Sequence, residues 1–213
     1  VSRRSALNRV VGGLASVLAA WLIVPAAAAA APAPNTAPVS DTQVATLQAA
    51  ALPASYRVDI SMQAQQQTNW CWAAAGNTIA AWHGVSITQN NFCALAKNRS
   101  TSANCPNDQA HLGEVQNALR KLNFTNPGSY LSNTLTYATI QQQVAADQPI
   151  ETRIGWSSGG GHMHVLYGYD TTKNWVYWGD PWGSSSRYNW GTYAFYRSNS
   201  QFTWTHTLTG IRR

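Results

Sequence analysis

The sequence predicts an α+β domain, an N-terminal helical lobe followed by a C-terminal antiparallel β-sheet lobe. Two observations predict it. Between residues 71 and 146, apolar positions recur at helical spacing or run through alanine-rich stretches. From Pro149 onward come short alternating segments, ETRIGW, HMHVLYGYD, WVYWGD, TYAFYR and FTWTHTL, divided by GGG, TTKN, PWGSSSRYNWG and SNS. The period changes once, so a cleft is expected where the two halves meet.

The elements follow in order. Arg3, Arg4 and Arg9 precede the apolar run VVGGLASVLAAWLIV and then PAAAAAAPAP. That is the layout of a secretory signal peptide over residues 1–31, cleaved near Ala31. The second half of the run is polyalanine with a proline, and no basic stop-transfer cluster follows. Secretion is therefore expected, without stable membrane insertion after cleavage. Residues 32–56, rich in Pro, Ala, Ser and Thr, read as a linker or short pro-segment, and the domain is expected over 57–213. A helix is expected over Cys71–His83, with Asn69 available as cap and Gly84 ending it. A second fits Asp108–Leu122, where Leu112, Val115, Ala118, Leu119 and Leu122 share a face. A third fits Leu135–Ala146, ended near Pro149. The five alternating segments are then strands.

Composition narrows the function. At 45% hydrophobic and 10% charged residues, the chain is no disordered polyampholyte. Its formal charge of +6 shrinks once Arg3, Arg4 and Arg9 are set aside, leaving 11 basic against 8 acidic residues, or +3. The basic residues are scattered, which excludes a nucleic-acid footprint. Ten Trp and nine Tyr against four Phe favour a wet aromatic cleft over a purely apolar core. Three cysteines in an exported chain leave one unpaired. Cys93 and Cys105, 12 apart across FCALAKNRSTSANC, are the expected disulfide, and Cys71 the free thiol.

Cys71 at a helix start would have its thiolate stabilised by free backbone N–H groups and the helix dipole, between walls of Trp70 and Trp72. Read structurally, it is a core cysteine. Ahead of it, Gln63, Gln65, Gln66 and Gln67 offer amide donors for an oxyanion, or simply a polar loop. In GGGHMHVLYGY, His162 and His164 share one face of a strand, and the glycines allow close approach beside His162. Either histidine alone is as readily a hydrogen-bonded structural residue. Asp180, before Pro181 in VYWGDPWG, is placed to orient an imidazole through Nδ1, or to close an Asx turn. Cysteine, histidine and aspartate in that order across a helix-to-sheet change are hard to assign to chance. No metal site is expected: there is no short CxxC, and the histidines do not group around the cysteines.

NWCWAAAGNTI with upstream glutamines, GGGHMHVLYGYD and WGDPWG together resemble the bacterial papain-like cysteine peptidases, in their short secreted and effector-type branch. The resemblance spans about residues 57–210. It implies a papain-like fold, Cys71 as nucleophile, His162 as base, Asp180 as orienting third member, and Gln65 as oxyanion donor with Gln63 and Gln67 as near competitors. It implies a secreted endopeptidase acting on protein or peptide substrates through a thioester, with no cofactor, expected as a monomer. Related acyl transfer, or amidase and isopeptidase action on cell-wall peptides, shares the same motifs. A wall- or carbohydrate-binding module built on exposed tryptophans is the reading from another class, but it gains nothing from an unpaired cysteine between two tryptophans.

Overall fold

A computed structural model describes residues 52–213. The expected signal peptide and residues 32–51 of the expected linker lie outside the described residues. The elements are β1 (Ser55–Arg57), α1 (Cys71–Trp82), α2 (Gln89–Ala96), α3 (Leu112–Lys121), β2 (Asn126–Leu131), α4 (Tyr137–Ala145), β3 (Ile150–Trp156), β4 (Gly161–Asp170), β5 (Trp175–Gly179), β6 (Tyr188–Thr192), α5 (Tyr193–Arg197) and β7 (Phe202–Arg212). The α+β order holds: a helical cluster first, then the strands of one antiparallel sheet. The strands run in the order β2-β7-β3-β4-β5-β6, with β1 added to β4. β1 straddles the expected domain start at residue 57, its Ser55 pairing with Asp170 and its Arg57 with Gly168.

Helix α1 is made of small residues because its neighbours come close. A Cβ on Gly76 would lie 2.6 Å from Phe92 Cζ and 2.9 Å from Val115 Cγ1, so α2 and α3 pack almost onto the α1 backbone. Residues Trp72–Ala80 are all buried. Gly84, at φ +79°, ends the helix in the left-handed region, as expected. The expected cap does not form. The residue before the helix is Trp70, with no side-chain capping bond, and the Asn69 amide donates instead to the Asn107 carbonyl at 2.8 Å.

Three further expectations need correction. The second helix starts at Leu112 rather than Asp108. The carbonyls ahead of it are already engaged: Pro106 accepts from the Trp70 indole, Asp108 from the Trp72 indole, and Gln109 from Lys97. His111 caps the helix, its Nδ1 accepting from Gly113 N–H at 3.1 Å. The cysteine loop is partly helical. Thr88 caps α2 by accepting from Asn91 N–H, and Cys93 in that helix is bonded to Cys105. TYAFYR is not a strand. Thr192 accepts from Phe195 N–H and starts the one-turn helix α5, while the preceding YNWG, expected as turn, pairs with β5 as β6. Strand β2, in the Pro- and Gly-bearing stretch NPGSYL, was not expected; at the sheet edge its proline costs no ladder bond.

The core is one apolar cluster joining α1, α2 and α3 to the sheet. Strand β4 runs through its middle, with every residue after Gly161 buried. Its residues Gly161–Leu166 pair with β3, while Val165–Asp170 pair with β5. This fixes one end of β4 beside the end of β5, where the candidate residues lie.

Candidate active site

Cys71 is the first residue of α1 and is the free cysteine, half-buried. Trp70 and Trp72 on either side are buried and fixed by their indole hydrogen bonds to the 106–108 segment, at 3.0 and 3.1 Å. No side chain competes for the first-turn N–H groups of this uncapped helix, so the positive end of its dipole stays open at Cys71. The residue lines a cleft of about 270 Å³ together with Trp72, Trp156, His162, Asp180 and Trp182. The helix start, the β4 end and the loop after β5 thus meet in one cleft.

His162 Nε2 donates to Asp180 Oδ1 at 2.7 Å. Nε2 takes the place of the expected Nδ1 because Asp180 sits at the end of the neighbouring strand, within reach of the ring nitrogen farther from the backbone. Burial disfavours the His162 cation, but the Asp180 hydrogen bond and then the Cys71 side chain, by hydrogen bond and charge, outweigh it and push its pKa up to about 9. Burial also works against the Asp180 carboxylate. The His162 bond, the neighbouring histidines and the Trp182 N–H at 2.8 Å more than offset it, holding the carboxyl below its usual range. The loop is itself braced, Asp180 N–H donating to Arg187 O and the Arg187 guanidinium donating back to the Asp180 carbonyl.

His164 faces the same carboxylate, its Nε2 3.8 Å from Asp180 Oδ2. Its Nδ1 shares a hydrogen bond of 3.2 Å with Tyr196 OH, which shares another with Thr152 at 2.6 Å. Burial, then the charge of His162, drive its pKa down to about 3. Donor atoms of His162, His164 and Asp180 lie within 4.8 Å of one another, a set a transition metal would accept. The short His162–Asp180 contact and the Trp182 N–H already occupy Oδ1, which is a hydrogen-bonding arrangement rather than a coordinating one.

The glutamines separate into different roles. Gln63 is tied to the helices, its Oε1 accepting from Asn77 and Gln89. Gln65 donates both amide hydrogens locally, to the carbonyls of Gln67 and Thr68 at 2.9 and 2.8 Å, and lines a neighbouring hollow with Trp182. Two residues of β3 are not singled out by motif. Arg153 of β3 lines the cleft. Glu151, two residues earlier, is fully buried with both oxygens unpartnered; burial and then the charge of Cys71 push its carboxyl well above the usual range. An arginine and a glutamate in an otherwise apolar strand, ETRIGW, are the signal that could have found them.

No curated protein matches the sequence. Among solved structures, the chain is similar to xylellain, a cysteine protease from Xylella fastidiosa, with a TM-score of 0.46 and 12% identity over 77% of this chain and 88% of that one. Among the described residues no helix is long and apolar enough to cross a membrane. The model of the family described as papain-like cysteine protease AvrRpt2 matches residues 54–201, a span that holds the helix start, the β4 histidines and the Asp-Pro-Trp loop. Over that span, with its helical cluster, its antiparallel sheet and the cleft that both line, the chain belongs to the papain-like cysteine protease AvrRpt2 family.

Proposed function

We propose that the protein is an exported cysteine endopeptidase that hydrolyses protein or peptide substrates through a thioester acyl-enzyme. The observation that carries this reading is the His162 ring, bonded to Asp180 on one side, interacting with Cys71 on the other, and cationic up to about pH 9. A ring that keeps its proton is the counter-ion a thiolate needs. In this reading the Cys71 thiolate attacks the scissile carbonyl, forming the C–S bond. His162 gives its proton to the amine as the C–N bond breaks. Water then attacks the thioester, passing a proton to His162, and the acid product leaves Cys71 as thiolate. Asp180 keeps the ring in place through both steps. The oxyanion is received by the Cys71 N–H, on the uncapped helix start, and by the Gln65 amide, which turns from the Gln67 and Thr68 carbonyls toward the cleft. The leader-like residues 1–31 support export.

Kinetics on one peptide substrate test the reading, with folding followed separately by thermal melts. Cys71→Ala should lose turnover completely while melting like wild type, because the sulfur is half-buried and its loss leaves little cavity. Full activity in that variant would sink the peptidase reading. Gln65→Ala should lose on the order of 10²–10³ in turnover, the usual cost of one oxyanion donor. Unchanged turnover there would move the second donor elsewhere and leave the nucleophile in place.

A further inference from the structure

The cleft holds a cation that no carboxylate pairs with among the described residues. Asp180 is matched by His162, but Arg153 has no carboxylate within salt-bridge reach among the described residues. Its guanidinium has five N–H donors. One nitrogen, Nη1, donates to Thr205 Oγ1 at 3.0 Å, and among the described residues no other acceptor holds the group. Its position is set by a glycine. A Cβ on Gly161 would stand 2.5 Å from Arg153 Nη2 and 2.7 Å from Cζ, so the guanidinium lies over the bare Cα of the residue preceding His162. Arg153 also pairs across the sheet with Met163, which lines the same cleft. Of the titratable groups around it, Cys71, His162 and Asp180 line the same cleft, and burial and then Arg153 lower the proton affinity of His206, but none of them pairs with the guanidinium among the described residues. A half-buried guanidinium with unused donors, lining the cleft that Cys71 and His162 also line, is a site for a planar anion.

We propose that Arg153 binds a carboxylate of the substrate, so that the enzyme prefers peptides with Asp or Glu within two residues of the scissile bond. This rests on the peptidase reading above and names its substrate class. The first two glycines of GGG, both at positive φ, make the turn into β4, whereas the third is small so that the guanidinium fits. The carboxylate has two sources, an acidic side chain or a free C-terminus, and the proposal commits to the side chain.

The test is cleavage of a positional peptide library with amidated C-termini by wild type, Arg153→Gln and Arg153→Glu, with free-acid peptides as a second arm. Thermal melts check that each variant folds, and Arg153→Gln serves alone if the charge reversal does not. Wild type should favour Asp and Glu at one position by about tenfold to a hundredfold over Asn and Gln. Arg153→Gln should lose that preference, and Arg153→Glu should turn it toward Lys and Arg at the same position. Cleavage without acidic preference overturns the proposal and leaves the peptidase reading standing, as does a carboxylate preference confined to free-acid peptides. If no peptide is cleaved, the peptidase reading fails, and the library is screened for binding to the wild-type protein instead. Enrichment of acidic peptides that Arg153→Glu abolishes then supports the carboxylate site, and its absence overturns it.

Discussion

The cleft end of β4 and its interior carry the same residue in opposite states. His162 and His164 are two apart on one face, and both look at Asp180. One is pushed up to about 9 and the other down to about 3. Distance to a negative charge does not alone explain the gap. His162 makes a 2.7 Å hydrogen bond to the carboxylate and has Cys71 beside it, so its cation is held from two sides. His164 is 3.8 Å from the other oxygen, its Nε2 is buried without a partner, and the nearest charge besides Asp180 is the His162 cation itself. Burial is the largest influence keeping His164 neutral, and the His162 cation adds to it; at His162 the Asp180 hydrogen bond and Cys71 together outweigh burial.

Exchanging the two roles is the sharpest way to break the comparison. His162→Ala should reduce turnover by on the order of 10⁵–10⁶, as loss of the base in a nucleophile–base pair does. His164→Gln, which keeps a hydrogen-bonding group of similar reach, should cost about tenfold or less. Single-turnover kinetics on both variants check this; a larger loss in His164→Gln would make His164 the base. Asp180→Asn comes next, at on the order of 10⁴ in turnover, because in the proposed mechanism an orienting partner is lost but nucleophile and base remain. The same change should bring the His162 pKa down from about 9, since the Asp180 hydrogen bond is the largest favourable influence on it. NMR titration of the imidazole would follow the shift, and an unmoved value would mean that Cys71 alone sustains the cation.

How much of this was legible in the sequence depended on whether the determinant was local. Cys71 at a helix start, the GGG turn into a strand with two histidines, and an aspartate before Pro181 are each marked by neighbours in sequence. Helix α2 is not legible, because its second half runs into the polar stretch that the disulfide closes and its only local signal is the Thr88 cap. TYAFYR misled for a physical reason. Its aromatic alternation suits a strand, but Tyr196 is buried where it meets His164 and Thr152, and a one-turn helix is what delivers it there. Likewise the glutamines could not be ranked from sequence: Gln63 is held by the distant Asn77 and Gln89, whereas Gln65 folds back onto the nearby Gln67 and Thr68 carbonyls, and neither choice is marked by its neighbours. Arg153 becomes informative only when Gly161 is seen beneath it.

The smallest expected effect tests the comparison through stability, where the two rings act in opposite pH windows. His162 has a folded value of about 9 against an ordinary 6.5, so the native state binds the extra proton between them. Its contribution is complete below about 6.5 and is lost as pH rises toward 9. His164 has a folded value of about 3, so between 3 and 6.5 the unfolded chain binds the extra proton. Stability therefore falls as pH drops through that range and is unaffected by His164 above it. Other groups slope the same curve. The raised Glu151 carboxyl adds a loss with rising pH, and the lowered Asp180 and Glu114 carboxyls add a loss with falling pH. The difference between variant and wild type carries each ring's own slope together with the change that its removal imposes on Asp180 and, for His162, on His164. Melts from pH 4 to 9 should show His162→Gln flattening the curve above about 6.5, and His164→Gln flattening it below. Each difference should be a few degrees, since about 1 kcal/mol moves the midpoint of a domain this size by roughly 2–4 °C. If both variants flatten the same side, the two rings do not hold opposite charge states.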